Sequence, residues 1–322
     1  MARLQVIKGG DVMGMGLADY LWVGPRGDVM SKKKTILIGK NEKGEPVPLV
    51  QRWSFEEKIH KDHCSYSCNK SDECDCGMIQ QTRILVPCFF LPDPTRPQPN
   101  YLVLCEVRDA ADQCLPDCHR STLRKAMDQR GSTAKLVWFG FEQDYALEQD
   151  TGEADLSEKP FLASERHLGA CFDAGLLIHS AFNMPGYVPW DFKVGVRGFP
   201  QDLDPDQPSA LVVADHLVIA RYIMQKIGGE KGLFPEWQDL SIFVSTPELR
   251  EIGGGPLAAT LLMTTLARST WNMRLVPHPV HGGCQCVEIQ QDDLSNPYKL
   301  ALDVLEAVWP LSNESIEPEE NQ

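Results

Sequence analysis

The sequence predicts an α+β protein of two domains. Three observations point there. A chain of 322 residues is long enough to bury two cores. Its first third is dense in short apolar runs separated by turn residues. From about residue 120 onward, segments with helical spacing of apolar residues alternate with short strand-like runs. The boundaries follow as 1–112 for a sheet domain, 113–311 for a larger mixed domain and 312–322 for an acidic, disordered tail.

The elements are expected in this order. Ala18-Asp19-Tyr20-Leu21-Trp22-Val23 alternates and runs into the turn Gly24-Pro25-Arg26-Gly27. Thr35-Ile36-Leu37-Ile38 is a second apolar run. Residues 84–90 and 101–107 follow as two more, separated by a proline-rich turn. Together they read as a small, mostly antiparallel sheet. Residues 120–129 have helical spacing, with Leu123, Ala126 and Met127 on one side. Residues 135–147 read as a strand and 148–159 as an acidic loop. A helix is expected over 165–175, ended by Gly175, and a strand over 190–195. A long amphipathic helix follows over 209–227 and stops at Gly228-Gly229. A strand at 239–245, an apolar helix at 256–268 and a last helix at 296–308 complete the chain.

Composition narrows the function. The net charge of -14 disfavours nucleic acid and acidic membrane surfaces as partners. No apolar run approaches the roughly 20 residues of a membrane span. The opening residues lack an export-signal pattern, so a soluble, cytoplasmic protein acting on a small molecule is expected. Eleven cysteines, an odd number, argue against a disulfide framework in that setting.

The stretch richest in chemistry is Trp138-Phe139-Gly140-Phe141-Glu142-Gln143-Asp144-Tyr145. In a strand the side-chain period is two, so Glu142 and Asp144 share a face about 7 Å apart. Such a pair is too far apart to share a proton and well spaced to hold cations. An amphipathic strand with a wet face accounts for the same pattern.

This stretch resembles the catalytic strand of glutamine synthetases, W-F-G-x-E-Q-E-Y, with Asp144 for the second Glu. Further stretches are similar in family order: Ala170-Cys171 through Ala174-Gly175, Trp190-Asp191-Phe192 with Val194-Gly195, Asp215-His216 with Ala220-Arg221-Tyr222-Ile223, and Ser245-Thr246. The similarity extends over most of the chain, and the N-terminal runs resemble the family's β-grasp domain. The resemblance implies a β-grasp-like N-terminal domain and a catalytic domain built on a curved antiparallel sheet with helices. It implies ATP and two divalent cations, Mg2+ or Mn2+, in a ligase that joins a carboxylate to ammonia or an amine. It also implies a homo-oligomeric ring with active sites shared between neighbours.

Carried over position by position, Glu142 matches a ligand of the second cation, and Asp144 and Asp191 match ligands of the first. Glu288 matches the last carboxylate of the second site. Trp138 and Ser245 match positions around the nucleotide, and Glu56, in Trp53-Ser54-Phe55-Glu56, matches the ammonium-binding carboxylate. Other positions depart from the family. An ungapped count puts Met184 where a third ligand of the first cation belongs, and aligning Met184-Pro185-Gly186 puts Phe182 there instead. Ser241 replaces the histidine of the second site, and Gln290 replaces an arginine. Arg268 and Arg274 are the arginines nearby, without an assigned role. These losses imply either altered or reduced activity, or an inactive paralogue that serves as a metal- or thiol-bearing assembly or regulatory protein.

Two Cys/His groups stand apart from this pattern. The first is His60, His63, Cys64, Cys68, Cys74 and Cys76; the second is His278, His281, Cys284 and Cys286, directly before Glu288. Each fits a thiophilic metal such as Zn2+. A surface loop with unpaired thiols explains the first equally, and a Gly-rich hairpin with incidental cysteines the second. Cys114, Cys118 and His119 read as incidental.

Overall fold

The computed structural model describes residues 12–24, 27–60, 78–131, 137–149, 158–184, 189–195, 209–246, 249, 262–264, 271–277, 284–291 and 296–308. Among them the fold is α+β, with two six-stranded sheets. The first sheet contains β1 (Gly14–Val23), β2 (Val29–Lys40), β3 (Pro46–Pro48), β4 (Trp53–His60), β5 (Met78–Pro92) and β6 (Tyr101–Asp109). Their order is β3-β2-β1-β6-β5-β4. Every pairing is antiparallel except β1 with β6, which is parallel.

The second half of β1 is buried on both faces, so Ala18, Asp19, Tyr20 and Leu21 are all inaccessible. Tyr20 faces a small core with Ile36, Ile38, Leu85 and Val103. Leu21 faces the other way, with Leu102 and Leu104, into the main core that also holds the helices. Asp19 lies on that same side and anchors the join. It accepts hydrogen bonds from Tyr222 Oη at 2.6 Å and from Arg96 at 2.9 Å. The neighbouring Asp93 accepts one from Lys226 at 2.7 Å. Burial raises the Asp19 pKa, and these donors more than reverse that, holding it below its ordinary value.

The second sheet comprises β7 (Trp138–Glu148), β8 (Ile178–Phe182), β9 (Trp190–Gly195), β10 (Phe234–Ser245), β11 (Asn272–Pro277) and β12 (Cys284–Gln291). It is antiparallel throughout, in the order β11-β12-β10-β7-β9-β8. Among the described residues, helices α1 (His119–Arg130), α2 (Glu158–Asp173), α3 (Ala210–Gly229) and α4 (Pro297–Val308) accompany the sheets. Helix α4 is started by Asn296, whose Oδ1 accepts the Tyr298 N–H at 3.1 Å.

Several expectations are refined. Helix α2 begins at Glu158, seven residues before the expected start at residue 165, and β3, β4, β8, β11 and β12 join the strands read from the sequence. Of the apolar segment 256–268, residues 262–264 are described, and they are helical. Helix α3 is buried nearly all round and not amphipathic, because sheet, first-sheet core and other helices surround it. Its buried polar side chains meet partners distant in sequence. Asp215 receives two hydrogen bonds from Arg120 at 2.8 Å each and one from Tyr298 at 2.7 Å. His216 Nδ1 accepts the Leu177 N–H at 2.9 Å, which makes His216 a packing residue. Arg221 donates to Gln143 Oε1 at 2.9 Å.

Candidate functional site

Alternation along β7 sorts its side chains. Phe139, Phe141, Gln143, Tyr145 and Leu147 turn inward and are buried. Glu142 and Asp144 lie on the opposite face, and residues directly opposite across a pair share that face. Asp144 faces Asp191 of β9, and Glu142 faces Lys193. Across the other edge of β7, Glu142 faces Ser241 of β10, which faces Gln290 of β12. One row further on, Phe243 faces Glu288, which faces Arg274 of β11. Trp138 and Ser245 form the row beyond, at the end of β7.

The three carboxylates Glu142, Asp144 and Asp191 each offer an oxygen, and these lie within 4.8 Å of one another. Two metal–oxygen bonds of about 2.1–2.5 Å span such a separation, so the donors fit a divalent cation with oxygen ligands. Glu142 Oε2 is buried and accepts no directed hydrogen bond; the ammonium of Lys193 meets it at 2.7 Å as a charge contact. Asp144 is pushed up to about 6. Burial is the largest cause, followed by the charges of Glu142, Asp191 and Asp239, with Lys193 opposing them. A nearby cation relieves this crowding of like charge.

Glu288 is buried but stands outside this trio, held by Arg274 Nε at 2.6 Å. That ion pair raises the Arg274 pKa, and the charge of Glu142 adds to it. Asp239 Oδ2 accepts the Gln290 amide at 2.9 Å. Of the two residues aligned with a missing third ligand, Phe182 lies opposite Asp191 in the β8–β9 pair, so an apolar ring shares the carboxylate face. Met184 is half-exposed beyond β8, and between them Asn183 donates to Ser164 and Glu165.

Of the other predicted residues, Glu56 lies in the first sheet, and Cys286 stands two residues before Glu288 on β12. Glu56 sits exposed on β4 and accepts the Thr82 hydroxyl at 2.9 Å. Cys286 is buried and packs with Phe243 and Val276. His60 closes β4 and Cys284 opens β12. His63, Cys64, Cys68, Cys74, Cys76, His278 and His281 lie outside the described residues. Sequence reasoning missed Lys193 and left Arg274 without a role. Lys193 was within reach of the alternation rule, since it stands two residues after Asp191 on the same strand.

No protein-family model matches the chain. Among curated proteins it is similar to glutamine synthetases. It is 26% identical over 274 residues to the chloroplastic glutamine synthetase of Oryza sativa subsp. japonica, covering 74% of this chain and 57% of that protein. It is 27% identical over 275 residues to the nodule isozyme of Medicago sativa, covering 74% and 68%. It is 26% identical over 288 residues to the chloroplastic enzyme of Chlamydomonas reinhardtii, covering 81% and 68%. The chain is thus a distant relative of glutamine synthetases, and it spans 57% to 68% of the length of these three.

Proposed function

We propose that the chain is a glutamine-synthetase-like ligase, dependent on ATP and Mg2+ or Mn2+. It joins a carboxylate, glutamate or an analogue, to ammonia or an amine. The observation that carries this reading is the meeting of Glu142, Asp144 and Asp191 on one sheet face, in a chain distantly related to glutamine synthetases. A divalent cation bound there supplies neutralisation of phosphate charge during phosphoryl transfer. Asp144 and Asp191 are its principal holders, being adjacent across β7–β9. Trp138 and Ser245, opposite one another at the strand end, are assigned to the nucleotide as a ring surface and a hydroxyl donor. Glu56 is assigned to ammonium, which it binds and deprotonates from the first sheet of a neighbouring copy in a homo-oligomeric ring. Ordinary activity is expected to be reduced, because a ring at Phe182 and a hydroxyl at Ser241 replace stronger ligands.

Those two replacements also favour a second reading, a non-catalytic relative kept for assembly or regulation. Zn2+ at the Cys/His groups belongs to that reading. Melting temperature separates the two. A ligase gains stability from ATP only when Mg2+ is present, by about 2.7 kcal/mol at a hundredfold excess over Kd. Absence of any magnesium-dependent shift with ATP supports the non-catalytic reading.

A further inference from the structure

The carboxylate face is divided by charge. At one end Asp144 and Asp191 stand side by side, with an oxygen of Glu142 within 4.8 Å of theirs. Beyond them, Glu142 and Glu288 each already have a basic side chain of the same chain against them, while Asp239 accepts the neutral Gln290 amide. Lys193 Nζ is 2.7 Å from Glu142 Oε2, and both side chains are largely buried. Arg274 Nε donates to Glu288 Oε2 at 2.6 Å. The register makes both contacts structural, since Lys193 is directly opposite Glu142 and Arg274 directly opposite Glu288. Between the two pairs lies Ser241, opposite Glu142, whose neutral hydroxyl is a weak ligand.

We propose that Lys193 and Arg274 are resident cations of this face, that they neutralise Glu142 and Glu288 in place of a metal ion, and that the face therefore takes one divalent cation, at Asp144 and Asp191. The physical reason is displacement. A dication between Glu142 and Glu288 must take their oxygens from cations already at 2.7 and 2.6 Å, and must then sit beside two positive charges. It gains only a serine hydroxyl in exchange. Without a metal there, Lys193 offers three rotatable donors and Arg274 a planar fork, so this end meets an anionic group of a ligand directly. Arg274 is 69% exposed and can turn toward such a group without leaving β11.

The Asp144 site rests on the proposed ligase reading, whereas the blocked end is tested on its own. Mn2+ is titrated into the full chain without nucleotide, and free Mn2+ is followed by electron paramagnetic resonance. Wild type is expected to bind one ion per chain. The double variant K193M/R274M is expected to gain a second ion. S241H alone is expected to gain none, while S241H combined with K193M/R274M gains the second ion at least tenfold more tightly than the double variant. Two ions in wild type, a second ion in S241H alone, or no change in a double variant that keeps its native melting and circular dichroism would each overturn the proposal. If the double variant does not fold, wild type and S241H still decide. If wild type binds no ion, the cation site of the ligase reading fails, and the gain in K193M/R274M still tests the resident cations.

Discussion

Replacing Asp144 by Asn removes one negative charge from the most crowded point of the carboxylate face. The carboxyl is pushed up to about 6 by burial and by Glu142, Asp191 and Asp239. In the unfolded chain it titrates near 4. Each tenfold displacement corresponds to about 1.4 kcal/mol, so about 3 kcal/mol opposes the ionised form. The side chain is only half-buried, and water screens part of this, leaving about 1–2 kcal/mol. The folded-state pKa is raised, so the protonated group favours folding below about pH 4, and that advantage is lost as pH rises through about 6. Above that the wild type carries the whole penalty, and D144N does not. D144N is therefore expected to melt about 2–5 °C above wild type at pH 7.5 in chelator, with the gap closing between pH 6 and pH 4. The comparison has to be between variants. His167 and His216, held down to about 4 by burial, weaken the fold of both proteins as pH falls below about 6.5. The same substitution is expected to weaken Mn2+ binding at least tenfold. A D144N protein that melts below wild type at pH 7.5, or a gap that ignores pH, refutes the reasoning.

Two further substitutions test the frame around the site. R120M leaves Asp215 and Glu106 buried without the guanidinium that reaches them at 2.8 and 3.0 Å, and is expected to cost about 3–5 kcal/mol in urea unfolding. R120M/D215L is expected to be milder than R120M, because it removes one stranded charge. Gly195 ends β9 at φ +87°, where a Cβ meets Val213 at 2.6 Å and the Phe139 carbonyl at 2.7 Å. G195A is expected to cost about 2–4 kcal/mol and to lower Mn2+ affinity, since β9 carries both Asp191 and Lys193.

The order of elements was largely legible in the sequence because local periodicity is a property of consecutive residues. The alternation in 138–145 places Glu142 and Asp144 on one face without any tertiary information, and the structure agrees. The runs at 18–23 and 101–107 announce strands for the same reason, but not that β1 and β6 pair in parallel. Helix α3 shows where local reading stops. Its expected amphipathic character implied a wet face, yet Asp215, Arg221 and Tyr222 are all buried against partners distant in sequence. The site follows the same division. Alternation at 142 and 144, and the family resemblance at 191 and 288, pointed to anionic ligands. That Lys193 neutralises Glu142, Arg274 holds Glu288 and Phe182 stands beside Asp191 depends on strand register. Register is decided by which faces must be buried together, and a one-residue slip would turn each of these side chains to the opposite face. The sequence determined which groups are present and along which strands they alternate; the tertiary structure alone decided which charges meet.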